Sequence, residues 1–142
     1  MVENLAVPGG YTLHTRRSGL TAPWEPIYVK TTDEAVLLGL RAGPAHANSR
    51  GLVHGGLLTA LADNAMGLSC GHRLGGGTRL LTVNLSIDFL ASAKLGQWVE
   101  VDTNFVKTGK RLCFAQAFVR ADGEPCARVN GTFSVVPAET AA

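Results

Sequence analysis

One stretch of the chain limits its possible folds more than any other, because it predicts a single helix that is apolar on nearly every side. Residues 55–71 contain no proline and no charged side chain other than that of Asp63. A surface helix keeps a polar face toward water, so a helix that lacks one is buried all round. We therefore predict one helix over 55–71 that the other elements of the fold enclose.

The rest of the chain predicts β-strands, two before the helix and four after it. Residues 82–89 alternate polar and apolar side chains without interruption, which is the period of a half-buried strand. Asp122-Gly123 separates two later apolar runs and is a strong signal for a hairpin turn. The predicted strands are 27–32 and 35–41 before the helix, and 82–89, 97–107, 111–120 and 126–136 after it.

The element order β-β-α-β-β-β-β points to one α+β domain. A flat sheet touches only one side of a helix, whereas a long antiparallel sheet that curls around the helix covers most of it. Glycine accounts for 17 of 142 residues, and it permits the bulges and bends of a curved sheet. We predict the hotdog fold, a curved antiparallel sheet wrapped around one long helix, over 25–137, with an N-terminal arm over 1–24 and a C-terminal tail over 138–142.

Composition and charge argue against several classes of function. The net charge is +2, and no run of Lys or Arg is long enough for a nucleic-acid-binding arm. The longest apolar stretch is too short to span a bilayer, and the first 11 residues lack the apolar segment of a signal peptide. Three cysteines without motif spacing favour buried free thiols in a reducing compartment. We expect a cytoplasmic protein with no metal, no cofactor, no nucleic-acid partner and no membrane association.

Asp63 is the residue of the predicted helix that packing does not explain. An unpaired carboxylate on an apolar helix is costly to bury or becomes protonated. It has a structural interpretation, namely a hydrogen bond to a neighbouring strand or a position at a helix edge that reaches solvent. It also has a functional one, because carboxylates held at such a cost cluster in active sites. We favour the functional interpretation.

The triplet His54-Gly55-Gly56 at the predicted helix start is the second feature with chemical meaning. Two glycines leave the first helical N–H groups uncovered, and the helix dipole adds partial positive charge there. Such a site suits a developing oxyanion or a polarised carbonyl. Two glycines alone favour close packing of the helix on a strand, but beside Asp63 we favour the oxyanion interpretation.

The spacing of these two features has a geometric consequence. Gly55 and Asp63 are eight residues apart, which separates their backbones by ~12 Å along one helix. A carbonyl held by the Gly55 N–H is therefore beyond the reach of the Asp63 carboxylate of the same chain. If both groups act on one carbonyl, they come from two antiparallel helices related by a twofold axis, and the chain forms a homodimer with composite sites.

The motif Asn48-x5-His54-Gly55-Gly56-x6-Asp63 resembles that of the PaaI-type hotdog acyl-CoA thioesterases, and the resemblance runs from about residue 28 to residue 136. It implies a dimer, commonly assembled into a dimer of dimers, that hydrolyses an acyl-CoA to a free acid and CoA. Asp63 would be the nucleophile or general base, and the Gly55 N–H of the partner subunit would be the oxyanion donor. Asn48 would place the thioester or water, and Thr82 would support Asp63.

The remaining residues of the predicted site have weaker support. His54 either hydrogen-bonds the thioester or the departing thiol, or caps the helix. The phosphates of CoA require cations. We assign substrate binding to Gly56 and to three cations that flank one predicted hairpin, namely Lys107, Lys110 and Arg111. Simple solvation is the competing interpretation for those cations, and the alternative phosphate contacts are Arg73, Arg79 and Arg128.

Two other functions are compatible with the predicted fold. A non-catalytic acyl-CoA-binding hotdog module is one, although such a module would not need Asp63. A hotdog dehydratase or hydratase is the other, although those enzymes use a loop His with a helix Glu or Asp in a motif that this chain lacks. The sequence leaves the acyl group open between aryl, phenylacetyl-like and medium-chain aliphatic.

Overall fold

The computed structural model describes residues 6–137, which form seven strands and one long helix. The predicted C-terminal tail lies outside the described residues, as do the first five residues of the arm. Short 3₁₀ turns stand at Ala22–Trp24 and Pro44–His46. The main elements are β1 Thr12–Leu13, β2 Tyr28–Thr31, β3 Val36–Arg41, α1 Gly55–Arg73, β4 Thr78–Phe89, β5 Trp98–Lys107, β6 Leu112–Ala121 and β7 Glu124–Pro137.

The strands form one antiparallel sheet in the order β1-β2-β3-β5-β6-β7-β4. The chain leaves the sheet after β3 and returns as β4 at the far edge, so α1 between them crosses the concave face. The helix accordingly contacts β3, β4, β5, β6 and β7. This is the hotdog arrangement that the sequence predicts, with the two-residue strand β1 as an addition.

The helix lies close to the sheet because the facing side chains of β6 and β7 are small. Ala115, Ala117 and Ala127 are buried there, beneath apolar side chains of α1. Gly131 has no room for a side chain, since a Cβ atom added to it would lie 2.7 Å from the Phe133 ring and 3.0 Å from the Met66 side chain. Close packing of this kind uses nearly all the available volume, so even one methyl group matters.

The three cysteines are free and buried, as predicted. Burial raises the pKa of the Cys70, Cys113 and Cys126 thiols. All three side chains are therefore protonated, apolar members of the core at neutral pH.

β4 differs from its prediction in two ways. It begins at Thr78 rather than at residue 82, because the chain passes straight from a turn at 75–77 into pairing with β7. The three glycines of that turn all have positive φ, between 77° and 83°, which suits glycine. The register also shifts between Thr82 and Asn84, so Val83 is the extra residue of a β-bulge.

The prediction that α1 is buried all round is wrong for one side of the single chain. Asn64 is exposed, and Asp63 and Gly67 are only partly buried. The sheet curls around the helix without closing, which leaves an opening between β4 and the N-terminal arm. No helix among residues 6–137 has the length and hydrophobicity needed to cross a bilayer.

The N-terminal arm is fixed to the sheet at its start. β1 pairs with β2, and the Tyr11 ring packs edge-on against Trp98 with 5.1 Å between ring centroids. The Tyr11 hydroxyl donates a hydrogen bond to the carboxylate of Glu100. Burial, followed by this carboxylate, raises the pKa of Tyr11. From this anchor the arm crosses to the open side of α1.

Candidate active site

The cap at the start of α1 leaves the Gly55 N–H without an acceptor among the described residues. His54 is the N-cap residue, and its Nδ1 accepts a hydrogen bond of 2.7 Å from the Gly56 N–H. The Gly56 N–H is thus occupied by the cap, whereas the Gly55 N–H has no acceptor within residues 6–137. A Cβ atom at Gly55 would lie 3.0 Å from the ring of Phe89, so only a residue without a side chain fits beneath that ring undisturbed.

Asn48 shapes the loop that leads into this helix start. Its Oδ1 accepts hydrogen bonds from the Arg50 N–H at 2.9 Å and from the Leu52 N–H at 3.1 Å. Asn48, Gly55 and Phe89 together line a cavity of about 190 Å³. The structure therefore brings Asn48 and Gly55 into one small site, and the oxygen of Asn48 holds the loop in shape.

Asp63 lies on the open side of α1, where Thr82 reaches it from β4. The Thr82 hydroxyl donates a hydrogen bond of 2.6 Å to Oδ1 of Asp63. The β-bulge makes this contact possible, because the extra residue places Thr82 on the same face of β4 as Leu85 and Ile87. Strict alternation over 82–89 would have turned Thr82 away from the helix.

A larger cavity of about 1000 Å³ extends from Asp63 and Thr82 along the open side of α1. It is lined by α1 as far as His72, by the glycine turn and the start of β4, and by the N-terminal arm. Gly55 and Asn48 do not line it, and Asp63 does not line the smaller cavity. In a single chain, the carboxylate and the free N–H therefore face two different cavities.

The predicted cations stand apart from both cavities. Lys107, Lys110 and Arg111 are exposed on the hairpin that joins β5 to β6, and none of them lines either cavity. The hairpin lies at the same end of the sheet as the start of β4, since Leu112 and Leu81 both pair with Ser134.

Sequence reasoning missed two groups of residues at these cavities. The Phe89 ring covers Gly55. The sequence could have indicated this position, because Phe89 follows Ile87 by two residues and so lies on the same inner face of β4. His14, Arg16 and Arg17 of the arm line the Asp63 cavity. No local pattern connects them with Asp63, because pairing of β1 with β2 brings the arm there. Burial and the nearby Arg16 lower the pKa of His14.

Comparison with known proteins decides the family. Residues 50–127, more than half of the chain, match the family model of the thioesterase superfamily. The chain belongs to the thioesterase superfamily. It is therefore a thioester hydrolase, and the enzyme class predicted from the sequence is confirmed. The matched segment of this thioesterase includes Gly55, Asp63 and Thr82.

Individual relatives agree with this assignment. A putative esterase of Pseudomonas aeruginosa is 32% identical over 128 residues, which cover 89% of this chain and 96% of the relative. Human acyl-coenzyme A thioesterase 13 is 33% identical over 81 residues, 56% of each protein.

Solved structures confirm the hotdog fold. A Streptococcus mutans protein bound to acetyl CoA aligns with a TM-score of 0.75 at 23% identity, over 90% of this chain and 98% of that one. The phenylacetic acid degradation protein PaaI of Thermus thermophilus aligns with a TM-score of 0.68 at 23% identity, over 76% and 91%. The PaaI-type resemblance read from the sequence is thus confirmed.

Proposed function

We propose that this thioesterase hydrolyses an acyl-CoA to a free acid and CoA at a composite site between two subunits. One subunit supplies Asp63 and its partner supplies the Gly55 N–H. The observation that carries the proposal is the hydrogen bond from Thr82 to Asp63 on the open side of α1, in a cavity apart from that of Gly55. Similarity to an acyl-CoA thioesterase and to a protein bound to acetyl CoA supports the substrate class.

The chemistry follows from the roles of these groups. The Gly55 N–H, at the positive end of the helix dipole, polarises the thioester carbonyl and then holds the oxyanion. Thr82 occupies Oδ1 of Asp63, so Oδ2 faces the reacting atoms. That oxygen either attacks the carbonyl carbon or takes a proton from a water that attacks it. The carbon–sulfur bond then breaks, and the CoA thiolate leaves as a thiol with a proton from Asp63 in the general-base route or from solvent in the nucleophilic route. The general-base route gives the free acid at once, whereas the nucleophilic route gives an acyl–Asp63 anhydride that a water hydrolyses to the free acid and the Asp63 carboxylate.

The other predicted residues have supporting parts in this proposal. Asn48 uses its oxygen in the loop, so its amide nitrogen is the group that meets the thioester or water. His54 uses Nδ1 to cap the helix, so Nε2 is the group for the departing thiol. Gly56 keeps the helix start open, because a Cβ atom there would lie 2.9 Å from His54 Nδ1. Lys107, Lys110 and Arg111 contact CoA phosphates at the hairpin end of the sheet.

The surface of the single chain supports a homodimer. β4 is an edge strand, with β7 as its one partner in the sheet, and Leu81 and Val83 on it are 59% and 60% exposed. An exposed apolar edge strand tends to pair with another chain. Antiparallel pairing of two β4 strands would also cover the open side of α1. The convex face carries exposed Phe105, Leu112 and Phe114, which support further assembly as a dimer of dimers.

The cysteines indicate the compartment in which the enzyme works. Three free, buried cysteines fit a reducing compartment, and we place the enzyme in the cytoplasm.

The test is Asp63→Asn, which removes the charge and keeps the size of the side chain. We expect kcat to fall roughly 10²-fold or more, because a positioned carboxylate contributes at least that factor. Thiol release from aryl, phenylacetyl and medium-chain acyl-CoAs measures the effect. Asp88→Asn is the matched control, since Asp88 lies on the same strand as Thr82 and pairs with Arg128 at 2.9 Å. An Asp63→Asn enzyme that works at the wild-type rate would show that the catalytic assignment is wrong.

A further inference from the structure

The small cavity beside Gly55 has a largely apolar lining. Its volume is about 190 Å³, and buried Val53 and Leu58 contribute to its wall. Asn48 and Ser92 are the polar side chains among the described residues that line it, and none of those residues is charged. A cavity of this kind suits an uncharged, apolar group better than the phosphates or the amide-bearing arm of CoA.

The two loops that form this cavity are joined by backbone hydrogen bonds. The Asn48 N–H donates to the Leu52 carbonyl at 2.7 Å, and the Val53 N–H donates to the Ala93 carbonyl at 2.9 Å. Leu52 also forms an isolated β-bridge with Lys94. The backbone around the cavity is therefore fixed, and the size of the cavity depends on the side chains that line it.

Phe89 lines the cavity on the side of Gly55. It pairs with Ala127, whose burial places both residues on the inner face of the sheet. A Cβ atom at Gly55 would lie 3.0 Å from the Phe89 ring, so the ring lies directly against the start of α1. Phe89 is nevertheless 56% exposed. Its side chain can therefore be shortened without opening the hydrophobic core.

A thioester carbonyl held at the Gly55 N–H carries two further groups, namely the acyl group and the sulfur of CoA. The sulfur leads to a long arm with two amides and then to the phosphates. The cavity of about 1000 Å³ beside Asp63 reaches the start of β4, at the same end of the sheet as the hairpin that joins β5 to β6. That cavity has room for the CoA arm, so the small cavity is left for the acyl group.

We propose that the acyl group of the substrate binds in the small cavity and that the Phe89 ring limits its size. This inference rests on the proposed function, because the Gly55 N–H marks the position of the carbonyl. An apolar cavity of about 150 Å³ is enough to bind benzene. The 190 Å³ of the small cavity therefore accommodates a single ring or a short chain, whereas a fused second ring collides with Phe89. Phe89 is a specificity-determining residue that takes no part in bond breaking.

Binding measured by isothermal titration separates the acyl group from the rest of the substrate. The ligands are CoA, benzoyl-CoA and naphthoyl-CoA, which differ only in the group on sulfur. An Asp63→Asn background keeps turnover out of the measurement, and the test protein adds Phe89→Ala. The control adds Leu90→Ala instead, because Leu90 is 51% exposed next to Phe89 and lines neither cavity.

We expect the Asp63→Asn protein to bind benzoyl-CoA roughly tenfold more tightly than naphthoyl-CoA, because the second ring meets Phe89. Phe89→Ala should remove most of that difference. Phe89→Leu keeps a smaller apolar side chain and should remove part of it. The Kd of CoA itself should not change with either substitution, and Leu90→Ala should leave all three Kd values unchanged.

Two results overturn the proposal. One is a ratio of the two acyl-CoA Kd values that the Phe89 substitutions leave unchanged, and the other is a loss of affinity for CoA itself that equals the loss for benzoyl-CoA. Phe89→Leu carries the test if the alanine protein does not fold. Thiol release is measured separately, and turnover by Asp63→Asn at the wild-type rate contradicts the hydrolysis proposal alone. In that event the ratio of kcat/KM for the two acyl-CoAs replaces the ratio of Kd.

Discussion

At the scale of single residues, the contact between Thr82 and Asp63 joins the helix to the strand that returns from it. The hydroxyl donates to Oδ1 at 2.6 Å, which fixes the orientation of a carboxylate on the open side of α1. A hydrogen bond to a charged acceptor is stronger than one between neutral groups. Thr82 is therefore a positioning residue, which acts on the substrate through Asp63.

We expect Thr82→Val to lower kcat about tenfold and to leave KM nearly unchanged. Valine keeps the shape of threonine but leaves Asp63 free to rotate, so the loss falls on the chemical step. Steady-state kinetics with the best acyl-CoA substrate measures it. Thr82→Ser keeps the hydroxyl and should retain most of kcat. A valine enzyme with the kcat of the wild type would show that the hydrogen bond has no part in catalysis.

The sequence made some of these residues predictable and concealed others. Asp63 stood out because it is the one charged side chain within an apolar helix, and Gly55 because glycines begin that helix. Arg16 and Arg17 could not be found, since their place at the cavity depends on strand pairing far from Asp63 in sequence. The cap at His54 was one of two open interpretations, and only geometry shows which backbone N–H it occupies.

At the scale of elements, the sheet and the helix were predictable, but the shape of β4 was not. Polar and apolar residues alternate through 82–89 as they would in a regular strand. A bulge inserts a residue without breaking that pattern, so alternation alone would put Thr82 on the face away from Asp63, and it was the resemblance that placed the two together. The length of β4 was also concealed, because Leu80 and Leu81 are adjacent apolar residues that break the period of two.

Packing of α1 on β7 gives a prediction about stability. Gly131→Ala places a methyl group 2.7 Å from the Phe133 ring, which is buried and has little room to move. We expect a loss of about 1–3 kcal/mol in the free energy of unfolding, as for other overpacked cores. Urea denaturation at neutral pH measures it.

Gly43→Ala is the matched control for this substitution. A Cβ atom at Gly43 meets nothing within 4 Å, and its φ of −142° is open to any residue. The control should change stability by no more than about 0.5 kcal/mol. Equal stability of the Gly131→Ala protein and the wild type would mean that Phe133 and Met66 move aside without loss of stability, and would contradict the tight packing at Gly131.

At the scale of the whole molecule, the proposed site exists only between two copies of the chain. Asp63 and the Gly55 N–H face separate cavities, and neither cavity holds both groups. A subunit that lacks the Asp63 carboxylate and a subunit that lacks the Gly55 N–H should therefore restore activity when they form a mixed dimer. Gly55→Pro suits this test, because Gly55 is the first residue of α1 and a proline there removes the N–H without breaking the helix.

We expect a mixture of Asp63→Asn and Gly55→Pro subunits to recover activity after exchange. One site of each mixed dimer carries both substitutions, and the other keeps native Asp63 and Gly55. Random exchange of equal amounts makes about half of the dimers mixed, so activity should return to roughly a quarter of wild type.

Each parent is first shown to be a folded dimer. Gly55→Ala is the control for size, since it keeps the N–H and needs only the exposed Phe89 ring to shift. Mixed dimers that stay as inactive as their parents would contradict the composite site.

The bulge at Val83 also bears on how such a chain can change over evolutionary time. Loss of that one codon would restore regular pairing of β4 with β7 and leave the hydrophobic core on its side of the sheet. Thr82 would still pair with Phe133 and keep its inner face, beside Asp63. Selection for folding and selection for hydrolysis would therefore both accept gain or loss of a residue at this point, provided that a bulge absorbs the added residue. The bulge thus lets the length of this strand drift over generations without moving the catalytic contact.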